Sequence, residues 1–437
     1  MAMARAFRSF LFALLVGSAA LLAGLLGSAL RTGRLDPLDW LLPGTVALIV
    51  FLGRDVRVSR ARLASSWALV ALPAGLLVGL VSISLPWAGL ALLALGLGLA
   101  AWGARLSTSQ RRAPRIALLL GLVVLALLAP RLISGVHIAS DQSRLNVGVL
   151  SAMPLHGAAM GAAQGVSALE SVGLRSPFWQ ALDSRLRLRP VDALEPATLR
   201  PLSVMLLAQP RLLAPQELVA LDAWVRQGGR TVVLADPLLH WPDPRPLGHP
   251  ERAPLTSLLD PLLSHWGLRL EPAEVDVESD PVERRALQSG GLLQLSGSSR
   301  FIRLGNEGGC RLMEQGLVAR CRIGAGEALL VADADWINDT LWTLSPEHPA
   351  DRAAWTSDAL DLLIGWLDGR SPRVDPWSSW LADQDRLVAG LRRALALVLV
   401  LAIVEALVAR RPSRSHYSVE TEKDQKWNKT DTSPDTG

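Results

Sequence analysis

The chain has 437 residues, of which 50% are hydrophobic and only 19% charged, with a mean hydropathy of +0.29. Soluble globular proteins are usually about 25% charged, so part of this chain belongs in lipid and a single soluble enzyme is excluded. Arginine supplies 41 of the 44 basic residues, and the lysines are confined to Lys423, Lys426 and Lys429. The folded region therefore has no lysine for a phosphate-binding loop, a Schiff base or general-base chemistry. The net charge of +4 comes from arginine clusters beside apolar segments, a pattern of membrane topology that predicts no nucleic-acid partner.

Phe10 to Leu30 is an uncharged run of 21 residues, long enough to span and longer than a usual signal-peptide core, so it reads as an uncleaved helix. Trp40 to Gly53, with 14 uncharged residues, is short for a span and would also fit an interfacial piece. Leu63 to Ala104 is uncharged over 42 residues and reads as two helices turning near Leu85, Pro86 and Trp87. Ile116 to Pro130, extended toward Val136 past a snorkelling Arg131, makes another. The last span, Leu387 to Ala409, carries Glu405 near its end, where pairing with the nearby Arg410 or snorkelling is expected.

Arginines orient these segments. Arg54, Arg57, Arg60 and Arg62 form one cluster, Arg105, Arg111, Arg112 and Arg115 a second, and Arg410, Arg411 and Arg414 a third. Positive clusters stay cytoplasmic, which predicts six spans with both termini inside. The predicted organisation is a membrane region of about five helices over 1–136, an extracytoplasmic domain over 137–386, a transmembrane helix over 387–409 and a disordered cytoplasmic tail over 410–437.

Within the middle region, Leu145–Leu150, Leu186–Val191, Leu202–Ala208, Thr231–Ala235 and Glu327–Ala332 read as short apolar strands. Helices are expected at Pro177–Arg185, from Pro215 to the Gly228-Gly229 stop, at Leu255–Trp266 with an interruption at Asp260-Pro261, and at Ala350–Leu367. Such alternation predicts an α/β fold with a mostly parallel sheet, and Val275 to Ile323 reads as a small antiparallel β insertion.

Three stretches carry a family resemblance. They are Leu206-Leu-Ala-Gln-Pro210 with the Leu213–Gly229 helix and Arg230–Pro237, then Leu258–Leu268 ending His-Trp-Gly-Leu, then Gly326–Asp339 with its D-x-D-x-x-N-D loop. Together they resemble the auxiliary extracytoplasmic component of gliding-type, otherwise uncharacterised ABC transport systems, over roughly Leu145 to Asp368. The resemblance implies a flavodoxin-like, class I glutamine-amidotransferase-like α/β domain used without amidotransferase chemistry. It also implies a bacterial inner-membrane location, a periplasmic domain, and ATPase and permease partners on separate chains. The five-span block departs from the family layout of one helix at each end.

Chemistry is sparse. The strand ends at Gln209-Pro210 and Asp236-Pro237 offer no nucleophile, no G-x-S-x-G occurs, and the histidines show no metal spacing, so neither cofactor nor metal site is predicted. His240 and His265 read as satisfied surface or core residues; His156 follows a strand end and is a candidate. Asp333, Asp335, Asn338 and Asp339 form the densest acidic set, and α/β folds bind ligands beyond the carboxyl ends of their strands. The expected ligand or partner rim is therefore His156, Gln209, Asp236, Asp333, Asp335, Asn338 and Asp339. Three functions stay open: a non-enzymatic auxiliary component in the lipid bilayer, a membrane-anchored metal-dependent hydrolase using the Asp333–Asp339 loop, or a structural scaffold. Cys310 and Cys321 read as the two sides of a hairpin turning at Gln315-Gly316, directly opposite one another. An extracytoplasmic compartment would oxidise them to a disulfide, although a two-residue turn would make this a hydrogen-bonded pair; two reduced thiols are the alternative.

Overall fold

A computed structural model describes residues 2–52, 58–107, 145–157, 173–243, 245–272, 282–288, 290–297, 299–305, 309–370 and 375–410, with isolated positions between 123 and 170. The Ile116–Val136 span, Arg54, Arg57, Arg111, Arg112, Arg115, Arg411, Arg414 and the tail lie outside the described residues.

The first part is helical. Helix α1 (Ala2–Leu25) is followed by a single turn, α2 (Ser28–Thr32), a two-residue strand β1 (Arg34–Leu35), and a 3-10 turn that opens α3 (Leu41–Leu52). Then come α4 (Arg60–Val81) and α5 (Trp87–Ser107), while the chain's final helix runs over Gln384–Arg410. Four of these are long and apolar enough to cross a membrane: Ala6–Leu25, Arg60–Val81, Trp87–Leu106 and Gln384–Val408; Pro37–Leu52 is shorter.

The final helix packs between α1 and α4. Ala394, Val398, Ala402 and Ala406 recur every fourth residue and are all buried, giving it a narrow face of small side chains that admits close helix approach. A side chain at Gly390 would sit 2.4 Å from Val81. Glu405 is buried at 1% exposure on the same helix. The side chain of the expected partner Arg410 lies outside what the structure describes; Glu405 pairs with Arg62 of α4, 2.9 Å away, with Ser66 Oγ donating at 2.9 Å. The reason is geometric. The two helices run antiparallel, so a partner 343 residues distant in the chain lies level with Glu405 across the interface.

The α/β domain holds β2 (Asn146–Ser151), β3 (Arg187–Pro190), β4 (Val204–Ala208), β5 (Arg230–Leu234), β6 (Leu268–Glu271), β7 (Val282–Ala286), β8 (Leu292–Ser296), β9 (Arg300–Arg303), β10 (Cys310–Met313), β11 (Val318–Ile323) and β12 (Gly326–Val331). Its helices are α6 (Pro177–Asp183), α7 (Pro196–Leu199), α8 (Pro215–Arg226), α9 (Asp260–His265), α10 (Asp339–Trp342) and α11 (Ala359–Leu367). A seven-stranded mixed sheet runs β10-β11-β12-β5-β4-β2-β3. β12, β5, β4, β2 and β3 are mutually parallel, and β10 and β11 extend them antiparallel. All five residues of β4 are buried, which accounts for its unbroken apolar run.

The antiparallel insertion is thus not a separate unit. Two of its strands extend the main sheet, while β6–β9 and β7–β8 form two-stranded ribbons. Close packing also dictates Gly326 at the start of β12, because a side chain there would lie 2.0 Å from the Val225 carbonyl of α8.

Two helices are shorter than the sequence suggests. Leu255–Trp266 is helical only at Asp260–His265, because the preceding backbone bonds elsewhere: Leu255 O accepts from Leu239 N and Ser257 N donates to Asp236 O. Likewise the Ala350–Leu367 helix begins at Ala359 after a 3-10 turn at Arg352–Ala354. Upstream, Thr356 N donates to Trp342 O, and Asp358 accepts from Leu292 N and Trp380 Nε1.

Cys310 and Cys321 are disulfide-bonded and directly opposed. The turn between their strands spans 314–317 rather than two residues, with Glu314, Gln315 and Gly316 all at positive φ. That length reverses the pairing parity. Arg322 N donates to Gly309 O at 3.0 Å, making 309/322 the hydrogen-bonded pair and 310/321 the closer, non-hydrogen-bonded one.

At the junction of the two parts, β1 pairs antiparallel with Ser379–Trp380, just before the final helix. Ile83 N, in the α4–α5 turn, donates to Trp380 O. The Trp380 ring lies under the Arg34 guanidinium, and its indole N–H reaches Asp358 of the α/β domain at 2.6 Å.

Candidate functional site

Parallel register levels the strand ends. Ser151 pairs with Ala208, Ala208 with Leu234, and Leu234 with Val331, so Ala152, Gln209, Ala235 and Ala332 follow on one line across the carboxyl edge. One residue further, Asp236 and Asp333 stand side by side on neighbouring strands, and Asp335 follows in a 3-10 turn (Asp335–Ile337). Ligand oxygens of these three acids lie within 4.8 Å of one another.

Gln209 fastens the next strand to them. It adopts φ 41°, an unusual backbone for a non-glycine residue, and is fully buried. Its Nε2 donates to Asp236 O at 2.9 Å and Pro254 O at 3.0 Å, and its Oε1 accepts from Asp236 N at 2.9 Å.

The acids are buried too, at 1–2% exposure. Asp236 accepts from Leu238 N and Ala334 N, one on each oxygen. Asp333 accepts from Asp335 N and Trp336 N on Oδ1 and from Ser296 N on Oδ2. Asp335 Oδ2 accepts from His240 N at 2.7 Å, and its Oδ1 has no donor. Burial pushes all three upward: Asp333 well above the usual carboxylate range, with Asp236 and Asp335 as further causes, Asp335 to about 7, and Asp236 in the same direction against its N–H donors.

Calcium and magnesium take six or more oxygen ligands from protein and water. Here five of the six carboxylate oxygens are committed to backbone N–H groups. Asp335 Oδ1 alone among them accepts no hydrogen bond.

The remaining residues expected on the rim make contacts of other kinds. His156 follows β2, bridges to Arg175, and packs on the Trp179 ring at 4.6 Å; burial and then Arg175 lower its pKa. Asn338 caps α10 by accepting from Thr340 N. Asp339 Oδ1 accepts from Phe178 N, at the start of α6, and from Trp342 Nε1, and burial raises it to about 6. Beneath this loop, Phe178, Trp336, Trp342, Trp355 and Trp366 form a chain of edge-to-face rings. Sequence reasoning missed His240 and Ser296 as partners of the acids because both contribute backbone N–H groups, which carry no residue signature.

The described residues thus combine four helices long and apolar enough to cross a membrane with an α/β domain that carries a buried acidic cluster at its strand ends. Residues 144–283 match the model of a family described as an ABC-type uncharacterized transport system, its auxiliary component, which bears out the resemblance seen in the sequence. No curated protein matches the chain. Among solved structures, it is similar to a cold-adapted β-galactosidase from Rahnella sp. R3 (14% identity, 52% of this chain and 35% of that one, TM-score 0.28). Others are an exo-β-1,4-mannosidase from Opitutaceae bacterium strain TAV5 (14%, 57% and 38%, 0.28) and a cytoplasmic protein from Salmonella typhimurium (10%, 52% and 100%, 0.30). The chain spans little more than a third of the length of the two glycosidases. At these scores none of them bears on what this chain does.

Proposed function

We propose that the chain is a non-enzymatic, multi-pass inner-membrane component of an ABC-type transport or envelope system, with its flavodoxin-like α/β domain in the periplasm and both termini cytoplasmic. The observation that carries this reading is the family match over 144–283, which falls on the domain that follows the apolar helices. The junction supports the topology. The connection after α1, the α4–α5 turn and the entry to the final helix all meet beside the α/β domain. The Arg60–Arg62 and Arg410 ends lie at the opposite side, in keeping with the positive-inside rule.

Strand order supports a recognition role. The chain passes from β2 outward to β3 and then back across to β4, so the switch point of the parallel sheet lies between β2 and β4. Ligands of open α/β sheets bind outside that point. The loop after β2 carries His156, and Gln209 and the acids hold the adjoining loops in place. In this reading the partner or ligand meets the outer faces of those loops, and Gln209, Asp236, Asp333, Asp335, Asn338 and Asp339 set their shape.

The test is purification of the full chain from its native host in mild detergent. Stoichiometric recovery of an ATPase and a permease is the expected result, weakened by His156→Ala with the fold intact. Recovery of the chain alone, under conditions that keep other ABC complexes together, would overturn the reading.

A further inference from the structure

The three rim acids are packed more tightly than three anions can be. One oxygen of each lies within 4.8 Å of one from each of the others, all three side chains are buried, and among the described residues no arginine or lysine pairs with any of them. Like charges at this spacing in a low-dielectric setting cannot all ionise. Burial raises both Asp333 and Asp335, and the donors around each decide where the proton sits. Hydrogen bonds from N–H groups favour the charged form. Asp333 receives three and Asp236 receives two, one on each oxygen. Asp335 receives one, and its Oδ1 is a buried oxygen with no donor at all. An acceptor left so is costly; the same oxygen carrying hydrogen becomes a donor to the neighbouring carboxylate.

We propose that Asp335 is the protonated member of a three-carboxyl clamp, sharing its proton with Asp236, and that loss of this proton loosens the strand-end loops after β5 and β12. The clamp reaches further than its own residues. Through backbone N–H groups it holds Leu238 and His240 after β5, Ser296 at the end of β8, and Ala334 to Trp336 after β12. A periplasmic domain meets the pH of the surroundings directly, so such a clamp would report it.

The titratable groups facing Asp335 are Asp236 from β5, Asp333 from its own segment, and His240. The His240 Nδ1 is 3.7 Å from Asp335 Oδ2 and 3.2 Å from Ser296 O. The direction follows by linkage. A proton held in the closed clamp and released on opening favours the closed form below the ordinary carboxylate range. That advantage falls about tenfold per pH unit as pH rises toward the closed-state value. Burial places the latter at about 7 for Asp335. The clamp is therefore firm at pH 5 and loosened at pH 7.5.

Hydrogen exchange on the full chain in detergent micelles tests this, with protection factors corrected for the intrinsic pH dependence of exchange. Amides at 238–240 and 334–336 should lose protection at least tenfold between pH 5 and pH 7.5, while those of α8 change little. Asp335→Asn places an amide donor where the proton sat and should hold protection high at both pH values. His240→Gln should leave the pH response in place. Equal protection at both pH values, an undiminished response in Asp335→Asn, or its loss in His240→Gln would each overturn the proposal. Should Asp335→Asn fail to fold, infrared difference spectra of the unaltered chain decide: the carbonyl band of a protonated carboxyl present at pH 5 must fade by pH 7.5, and a constant spectrum refutes the clamp.

Discussion

Replacing Gln209 with leucine separates a stitch that holds the fold from a surface residue waiting for a ligand. The leucine fills similar volume, so packing is kept while three hydrogen bonds disappear: a buried one from Nε2 to Asp236 O, a part-buried one from Nε2 to Pro254 O, and a buried one into Oε1 from Asp236 N. Asp236 O keeps its bond from Ser257 N at 2.6 Å, so the main losses are an unpaired Asp236 N–H and an unpaired Pro254 carbonyl. A buried orphan costs about 1–3 kcal/mol, the part-buried carbonyl lying toward the lower end. Set against about 1 kcal/mol returned by a buried apolar side chain, the net loss is about 3 kcal/mol. In a domain of this size that lowers Tm by roughly 6–12 °C. Thermal unfolding of the full chain in detergent, followed by tryptophan fluorescence, reads the change. A loss below about 1 kcal/mol would refute the stitch and return Gln209 to the pool of free ligand-binding side chains.

Three further outcomes are expected. Thiol labelling of denatured, unreduced chain should find no free cysteine, and Cys310→Ser with Cys321→Ser should cost on the order of 3 kcal/mol by chain entropy; quantitative labelling without reductant would remove the bridge. Glu405→Ala should destabilise the helix packing because it removes the ion pair with Arg62 and the acceptor of Ser66 Oγ, and adding Arg62→Ala should cost less than the sum of the two single changes; a loss within error in detergent-titrated unfolding would show the pair to be idle. Reporter fusions at Gly157 and Glu420 should report opposite faces of the membrane, and the same face for both would end the six-span arrangement.

Much of this architecture was legible from local grammar. Buried parallel strands appear in the sequence as runs such as Val204–Ala208, and the helix from Pro215 announces itself by proline at its first position and the glycines at its end. The acids could be placed at strand ends, and once the parallel order was known, register alone brought Asp236 beside Asp333. What could not be read depended on partners remote in the chain. Leu255–Leu259 has helical composition, but its backbone is taken by Leu239 and Asp236. Asp358 falls inside the expected Ala350–Leu367 helix, yet Leu292 N and Trp380 Nε1 hold its side chain and the helix starts at Ala359. Glu405 pairs with Arg62, far off in the chain. The hairpin parity turned on a four-residue turn whose positive φ at Glu314 and Gln315 no residue preference foretells.

The rim also explains why a dense acidic motif need not be a catalytic one. A D-x-D-x-x-N-D segment could deliver several oxygens to one point, and the sheet does bring Asp333 and Asp335 together with Asp236. Each of these groups is nevertheless answered by the loops around it: Asp333 by Ser296, Asp335 and Trp336, Asp236 by Leu238 and Ala334, and Asp335 by His240. Asn338 closes a helix end, and Asp339 ties α10 to α6. Carboxylates spent in this way fix the courses of the loops after β5 and β12, whose backbones would otherwise be left with unmatched N–H groups in a buried setting. A binding surface built here consists of what those loops present outward, shaped by acids that face in.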